Sequence, residues 1–468
     1  MMISPLHQTA LKTPNAIAIE DGHDTYTYAT LSAMVSNLTQ SLQAQHIGRG
    51  DIVACLSQNN LEMICLYWAC IDAGWVFLPL SPRLSNQQIT QLIDTYQIQW
   101  LWTDSPSRQI DIKVAHWLNV SLCIQTNPSP TTVKISPHIA SNIILTSGSS
   151  GTPKAAVHCL LNHMTSAQGS ASYIPLKMND SWLLSLPLFH IGGLAILHRC
   201  TLAGACIALR NSAMSLAEQL QQSDITHVSL VPTQALQILA QQPQVLTHVK
   251  ALLLGGGMIE PQLISTLNAH NIKAYTSYGM TEMSSQITTA KANLAGHHGR
   301  PLPARQLKLV DGIIWVKGEC LFLGYLTPQG ISLPVDHQGW FCTQDKGQLN
   351  DKGQLMISGR IDNMFICGGE NVHPEQIEAV LMTHPNVAQA IVFAMPDPIF
   401  GYLPAAIIDY VDEHDTEQVN AQLSELIEQK LARFMRPRQY FGWPKQVISS
   451  GIKAPRKLII AAIQQSVV

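Results

Sequence analysis

IILTSGSSGTPKAAV, residues 143–157, is the stretch whose reading decides the fold. A short apolar, β-branched run from Ile143 to Leu145 breaks into seven consecutive residues drawn only from Thr, Ser and Gly, followed by Pro153 and Lys154. Small hydroxyl and glycine residues bring many N–H and O–H donors close to a ligand with no bulk in the way, and the lysine adds a full positive charge. Such a loop is built to cradle phosphate. A Walker loop would need Gly, Lys and then Ser or Thr opening a helix, whereas Lys154 follows a proline and precedes Ala155, so a P-loop ATPase is excluded. A flexible Ser/Gly linker is the competing reading, but a linker does not usually follow an apolar strand.

Around this loop, 468 residues, 46% of them hydrophobic and 13% charged, are ample for a large core and more than one domain. A formal net charge of -3 gives no general basic field, which argues against a nucleic-acid partner. The ten cysteines form no CxxC pair and no Cys/His cluster at zinc spacing, so they read as reduced thiols of a cytoplasmic protein. The amino-terminal MMISPLHQTALKTPNA lacks a basic patch followed by a long apolar core, and no apolar stretch reaches membrane-spanning length. Neither a signal peptide nor stable membrane insertion is expected; self-association is left open.

Apolar β-rich runs alternate with helical segments along most of the chain, which predicts a layered α/β architecture. Strands are expected at Ile52 to Leu56, Val76 to Leu80, Gln99 to Thr103, Ile143 to Leu145, Cys206 to Leu209, His227 to Leu230 and Ala251 to Leu254. Helical spacing marks Ser32 to Gln45 and Ser215 to Gln222. Past Asp311 the texture turns to hairpins, GIIWVKGE, GWFCTQDKGQL and GQLMISGRID. The expected organisation is a large N-terminal α/β domain over residues 1–361 and a small mobile α+β C-terminal domain over 362–468.

Three further segments carry chemistry. In YTSYGMTE, residues 275–282, an aromatic ring beside glycine suits a stacked purine, Thr281 can donate to a phosphate oxygen and Glu282 can ligate magnesium. Asp345 and Arg360 flank a hairpin; a carboxylate can grip two ribose hydroxyls and an arginine can support it. Near the end, IKAPRK places Lys453 in a basic, proline-bearing loop. Taken singly, each has a bland alternative: a core tyrosine, a surface ion pair, a solvated tail.

Together and in order, SGSSGTPK, PLFHIGG, YGMTE, TQD, GRIDNMFICGGENVHPEQIE and GIKAPR resemble the adenylate-forming superfamily, which includes acyl-CoA synthetases, luciferases and peptide-synthetase adenylation domains. The resemblance implies ATP, Mg2+ and CoA as reaction partners. It places the ATP phosphates at Thr146, Ser147, Gly148, Ser149, Ser150, Gly151 and Lys154, adenine at Tyr278 and Gly256, the α-phosphate at Thr281, magnesium at Glu282 and ribose at Asp345 with Arg360. It also makes Asp362 a hinge, Lys453 a mobile catalytic lysine, Gly368 and Gly369 the edge of a thiol tunnel, and His190 an aromatic gate beside an acyl pocket that includes Gly279. Ile452 stands before Lys453 where members of the superfamily commonly have glycine, while Arg456 keeps the usual offset of three.

The acid to be activated is signalled by LPLFHIGGLAILHRC, where Arg199 follows His190 by nine positions in an otherwise apolar stretch. A pocket for a fatty tail gains nothing from a buried guanidinium, and a second carboxylate on the substrate would satisfy it in a bidentate pair. The expected substrate is therefore a small dicarboxylic acid. The alternatives are another aryl or medium-chain acyl-CoA ligase, or a stand-alone adenylation enzyme that loads a carrier protein.

Overall fold

The computed structural model describes residues 1–109, 112–124, 131–146, 153–257, 259–367, 370–397, 401–411, 415–444 and 456–467. Two large sheets face each other across a layer of helices. One runs in the order Gly330–Ser332, Gly324–Thr327, Lys154–Cys159, Ala140–Thr146, Val76–Leu80, Ile52–Leu56, Trp100–Thr103, His116–Trp117. The other runs Arg300–Pro301, Ser285–Lys291, Ala274–Met280, Ala251–Leu254, His227–Leu230, Ser181–Leu183, Cys206–Ala208, Ile17–Asp21, Asp24–Thr27, with parallel pairing through its middle.

Between them lie the helices Tyr28–Gln43, Leu61–Ala73 and Ile191–Ala203, packed in one continuous apolar cluster with Phe77 and Ile144 of the first sheet and Trp182 and Ile207 of the second. Leu61–Ala73 is apolar on nearly all sides because it is covered on all sides. The Asn60 side chain caps its start by accepting from Met63 N at 2.8 Å, and Gly74 ends it with φ +76°. The outer faces of the sheets carry Asn86–Tyr96 on one side and Leu216–Gln222, Pro232–Gln241 and Pro261–Ala269 on the other, each over its own apolar cluster.

The expected strands are present, with shifts at their ends that have local causes. Ile143 to Leu145 extends to Ala140–Thr146 because the buried polar residues at its start find partners: Ser141 Oγ donates to the His158 carbonyl, and Asn142 Oδ1 accepts from His163 Nε2 at 2.7 Å. The helix expected from Ser32 to Gln45 spans Tyr28–Gln43 and begins at Tyr28, since Thr27 caps it by accepting from Thr30 N at 3.1 Å. At Ser215 a capping box with Glu218 starts the helix where the sequence placed it.

A four-stranded antiparallel sheet of Arg305–Val310, Ile313–Gly318, Phe341–Leu349 and Leu355–Arg360 follows, the hairpins expected from the change of texture. The chain then enters a small α+β domain: strands Val387–Asp397, Gly401–Tyr410 and Tyr440–Gly442 with helices Pro374–Leu381, Thr416–Lys430 and Arg456–Val467. Its apolar clusters contain only residues from 365 onward. All ten cysteines are free thiols. Among the described residues, no helix is long and apolar enough to cross a membrane.

Ser32, His7 and Asp72 form a constellation that in a hydrolase would be a catalytic triad. His7 Nδ1 lies 2.7 Å from Ser32 Oγ, and Nε2 lies 2.6 Å from Asp72 Oδ2. Ser32 and His7 are both 0% exposed, so no substrate reaches the hydroxyl. The three groups instead join helices Pro5–Lys12, Tyr28–Gln43 and Leu61–Ala73.

Candidate active site

The hairpin of Ala140–Thr146 and Lys154–Cys159 pairs Thr146 with Lys154 and Leu145 with Ala155. Ser147, Gly148, Ser149, Ser150 and Gly151 lie outside the described residues, and the two ends of their loop are held face to face by that register. Tyr96 fastens one end, its hydroxyl donating to the Pro153 carbonyl at 2.7 Å. Lys154 is exposed, and its Nζ stands 5.1 Å from the centre of the Tyr325 ring.

The YGMTE segment is the end of strand Ala274–Met280 and the 3-10 turn Thr281–Met283. Register slips between Tyr278 and Gly279, and a Cβ at Gly279 would run into the carbonyl of Ser285 on the partner strand. Glycine is therefore required there by strand approach alone. Two consecutive residues after the turn, Ser284 at φ +53° and Ser285 at φ +120°, hold backbone conformations that non-glycine residues rarely adopt. Three contacts over-determine the turn: His158 Nε2 donates to the Thr281 carbonyl at 2.8 Å, Phe322 N donates to the Glu282 carbonyl at 2.8 Å, and Tyr325 Oη donates to Glu282 Oε1 at 2.6 Å.

Tyr278, Asp345 and Arg360, separated by up to 82 positions in the sequence, come together. Tyr278 Oη donates to Asp345 Oδ2 at 2.6 Å and Arg360 Nη1 donates to Asp345 Oδ1 at 3.0 Å. Asp345 and Arg360 are direct cross-strand partners, so the ion pair is set by register. Burial, then the adjacent Asp345 charge, push the Tyr278 phenol well above its ordinary pKa, and it stays a donor. Gly256, with φ +80°, is exposed just past strand Ala251–Leu254.

His190 is the N-cap residue of helix Ile191–Ala203, half-buried, with its ring 4.8 Å from that of Phe189. Arg199, near the other end of the helix, is 5% exposed. Its Nη2 donates to Gln286 Oε1 at 2.8 Å and Ser285 Oγ at 3.1 Å, and its guanidinium lies 5.1 Å from the centre of the Trp182 ring. Among the described residues no carboxylate comes within 4.0 Å of it. Burial lowers its pKa to about 10, still charged at neutral pH. Since Gln286 is the cross-strand partner of Gly279, the guanidinium is connected to the YGMTE strand through the strand Ser285–Lys291 beside it.

Asp362 falls in the short 3-10 turn Ile361–Asn363, where Asn363 Nδ2 donates to Glu375 Oε1 at 2.6 Å. Gly368, Gly369 and Lys453 lie outside the described residues. Arg456, three positions beyond Lys453, is anchored: its Nη1 lies 2.5 Å from Glu378 Oε1, and Nη2 donates to the Val392 carbonyl.

Sequence reasoning missed Tyr325, His158 and Gln286. Each acts through a cross-strand or cross-element contact, and nothing in its immediate sequence marks it. For Tyr325 the signal would have been its strand pairing with Lys154–Cys159, Ala156 opposite Tyr325.

Lys154, Glu282 and the Tyr–Asp–Arg cluster are the residues the sequence expects to hold a nucleotide: Tyr325 touches both Lys154 and the buried carboxylate of Glu282, which lies four positions beyond Tyr278 of that cluster. Family comparison agrees: the chain belongs to the AMP-binding enzyme family, whose model matches residues 6–326, with the AMP-binding enzyme C-terminal domain matching residues 376–445. Among its relatives, the 2-succinylbenzoate–CoA ligase of Salmonella typhimurium is 33% identical over 95% of this chain and 94% of its own, and that of Bacillus cereus (strain AH820) is 32% identical over 93% of each. A variant of Escherichia coli MenE with bound OSB-AMS superposes with a TM-score of 0.86 at 30% identity, covering both chains completely. The o-succinylbenzoate CoA synthetase of Bacillus subtilis with ATP and magnesium ion gives 0.86 at 26% identity over 98% of this chain and 99% of its own.

Proposed function

We propose that the protein is an ATP-dependent o-succinylbenzoate:CoA ligase of menaquinone biosynthesis, acting in the cytoplasm. The observation that carries the choice of acid is Arg199: a buried, charged guanidinium with no carboxylate within 4.0 Å among the described residues, joined through Gln286 to the strand Ala274–Met280 that leads into the turn bearing Glu282. The relatives named above carry the same activity in their names.

In the first half-reaction the succinyl carboxylate attacks the α-phosphorus of ATP and pyrophosphate leaves. Anion approaches anion, so positive charge must be in place before reaction. Lys154 at the phosphate loop and Lys453 from the C-terminal domain supply it, and Thr281 donates to the α-phosphate. Asp345, held by Arg360 and Tyr278, takes the ribose hydroxyls, while Tyr278 and Gly256 bound the adenine. The residues present fit magnesium: Glu282 offers a hard oxygen donor in a fixed turn, and Mg2+ is commonly held by one or two carboxylates together with substrate phosphates. Bound there, it would neutralise charge on the phosphates. Arg199 holds the aromatic carboxylate, and His190 stands between acyl pocket and thiol channel.

In the second half-reaction the CoA thiol attacks the acyl-adenylate carbonyl and AMP leaves. Lys453 would occupy space that this nucleophile needs. Rotation of residues 362–468 about Asp362 withdraws it and brings Gly368 and Gly369 to the channel, where absent side chains leave room for a narrow thiol.

Pyrophosphate exchange with o-succinylbenzoate, benzoate, coumarate and octanoate tests the reading. Exchange is expected with o-succinylbenzoate; exchange only with octanoate would overturn the substrate and leave the reaction class. Arg199→Ala should raise KM for o-succinylbenzoate about tenfold or more, the loss of a charge-assisted contact.

A further inference from the structure

Arg199 is enclosed by neutral groups where buried guanidinium groups ordinarily meet an acid. Gln286 is 3% exposed, and its Oε1 accepts from Arg199 Nη2 at 2.8 Å. Its Nε2 donates to Thr289 Oγ1 at 2.7 Å, so both ends of the amide are engaged and the oxygen faces the guanidinium. Ser285 Oγ lies 3.1 Å from the same Nη2. Trp182 offers the face of its ring at 5.1 Å, and Trp182 Nε1 is itself turned to Ser229 Oγ at 3.1 Å. The Nε of Arg199 is buried without a partner among the described residues.

A second buried cation adds to the same field. Arg305, 6% exposed, donates to the carbonyl of Pro303 and to the carbonyl and hydroxyl of Ser166, all neutral acceptors. Neither arginine has a carboxylate within 4.0 Å among the described residues.

Glutamine and glutamate differ by an NH2 in place of an oxygen. A glutamate at this position would reach Arg199 from the same atom position and occupy it permanently as an internal counter-ion. We propose that Gln286 is a specificity-determining residue of the acyl pocket: as a neutral acceptor it orients the Arg199 guanidinium without neutralising it, so that the counter-ion is supplied by the substrate's second carboxylate. The proposal rests on the reading of Arg199 as the contact for that carboxylate. It assigns the preference for a dicarboxylic over a monocarboxylic acid to a pair of residues, one charged and one deliberately uncharged.

The test compares two acids in pyrophosphate exchange: o-succinylbenzoate and benzoylpropionate, the same molecule without the ring carboxylate. Wild type should favour the diacid. Gln286→Glu should raise KM for o-succinylbenzoate on the order of 30-fold, the worth of a charge-assisted contact, and leave KM for benzoylpropionate unchanged or lower. Turnover of the monoacid also shows that the variant is folded. Gln286→Met removes the hydrogen bond but keeps the open charge, so the diacid preference should survive in weakened form. Ser285→Asp places a carboxylate at the same Nη2 from the other side and should collapse the preference as Gln286→Glu does, which keeps the idea testable if one variant does not fold. A Gln286→Glu enzyme that retains the diacid preference overturns the proposal, as does a Gln286→Met enzyme that loses it equally. A wild type that does not distinguish the two acids overturns it through its premise, and locates the error in Arg199.

Discussion

The hydroxyl of Tyr325 donates to Glu282 Oε1 at 2.6 Å while the ring of the same tyrosine lies 5.1 Å from Lys154 Nζ. One side chain thus touches both the carboxylate proposed for magnesium and the cation proposed for the triphosphate. Tyr325→Phe keeps the ring and loses the hydrogen bond. Groups that orient a metal's ligands typically contribute about 10- to 100-fold in affinity or activity, so a rise of that order in the magnesium concentration needed for half-maximal adenylation is expected. Mn2+ binding followed by electron paramagnetic resonance in the presence of ATP reads the same loss independently of turnover; an unchanged affinity would separate Tyr325 from the metal.

Asp345 joins Tyr278 and Arg360 at 2.6 and 3.0 Å. Asp345→Asn keeps the shape and removes the charge. KM for ATP should rise about 10- to 100-fold, with KM for the acid little changed. A larger effect on the acid than on ATP would contradict the ribose assignment.

Three buried imidazoles, His158, His163 and His198, form a column, His163 stacked on His198 at 4.7 Å and lying 5.1 Å from His158. Burial lowers their pKa from the ordinary 6.5 to about 4 for His158, to about 3 for His198 and well down for His163. Below pH 6.5 the unfolded chain therefore takes up protons that the folded chain refuses. Stability is complete above that value and falls with acidification, by about 2 kcal/mol each for His158 and His198 between pH 7 and pH 5, with His163 acting in the same direction. Tm measured across that interval should drop, and the drop should be shallower in His163→Asn. A Tm independent of pH would refute the neutral column.

Asp72→Ala strands His7 in a dry interior. A loss of about 3 kcal/mol is expected, read as a lower urea midpoint at constant slope. Ser32→Ala should lower the midpoint less and leave kcat unchanged, since no substrate reaches that hydroxyl.

Lys453→Ala should slow adenylate formation at least about 100-fold and spare thioester formation from a supplied acyl-adenylate. Equal loss of both half-reactions would remove the swinging role.

Much of the fold was legible in the sequence because its signals are local. Val76–Leu80, His227–Leu230 and Ala251–Leu254 are short apolar runs bounded by breakers, and they fold as strands where they were expected. Ser215 and Glu218 announce a helix start within four residues. Arg199 was legible as an anomaly, a charge in an apolar helix, but its surroundings were not, since Gln286 is 87 positions away and Trp182 belongs to another element. Gly279 shows the opposite limit: the sequence assigns it to a substrate pocket, while the structure requires glycine there because Ser285 comes so close. Tyr325 and His158 reach Glu282 and Thr281 through sheet pairing and helix-free turns, which no periodicity reports.

The anchoring of Arg456 to Glu378 and Val392 sets a tether length. Lys453 is three residues from that anchor, and three residues span at most about 11 Å when fully extended. A travel longer than this leash allows cannot come from the loop flexing by itself. On the proposed catalytic role of Lys453, a longer travel would be delivered by the helix Arg456–Val467 together with the sheet it packs against, which would make the lysine cargo of a whole domain and set its timing by that domain's rotation.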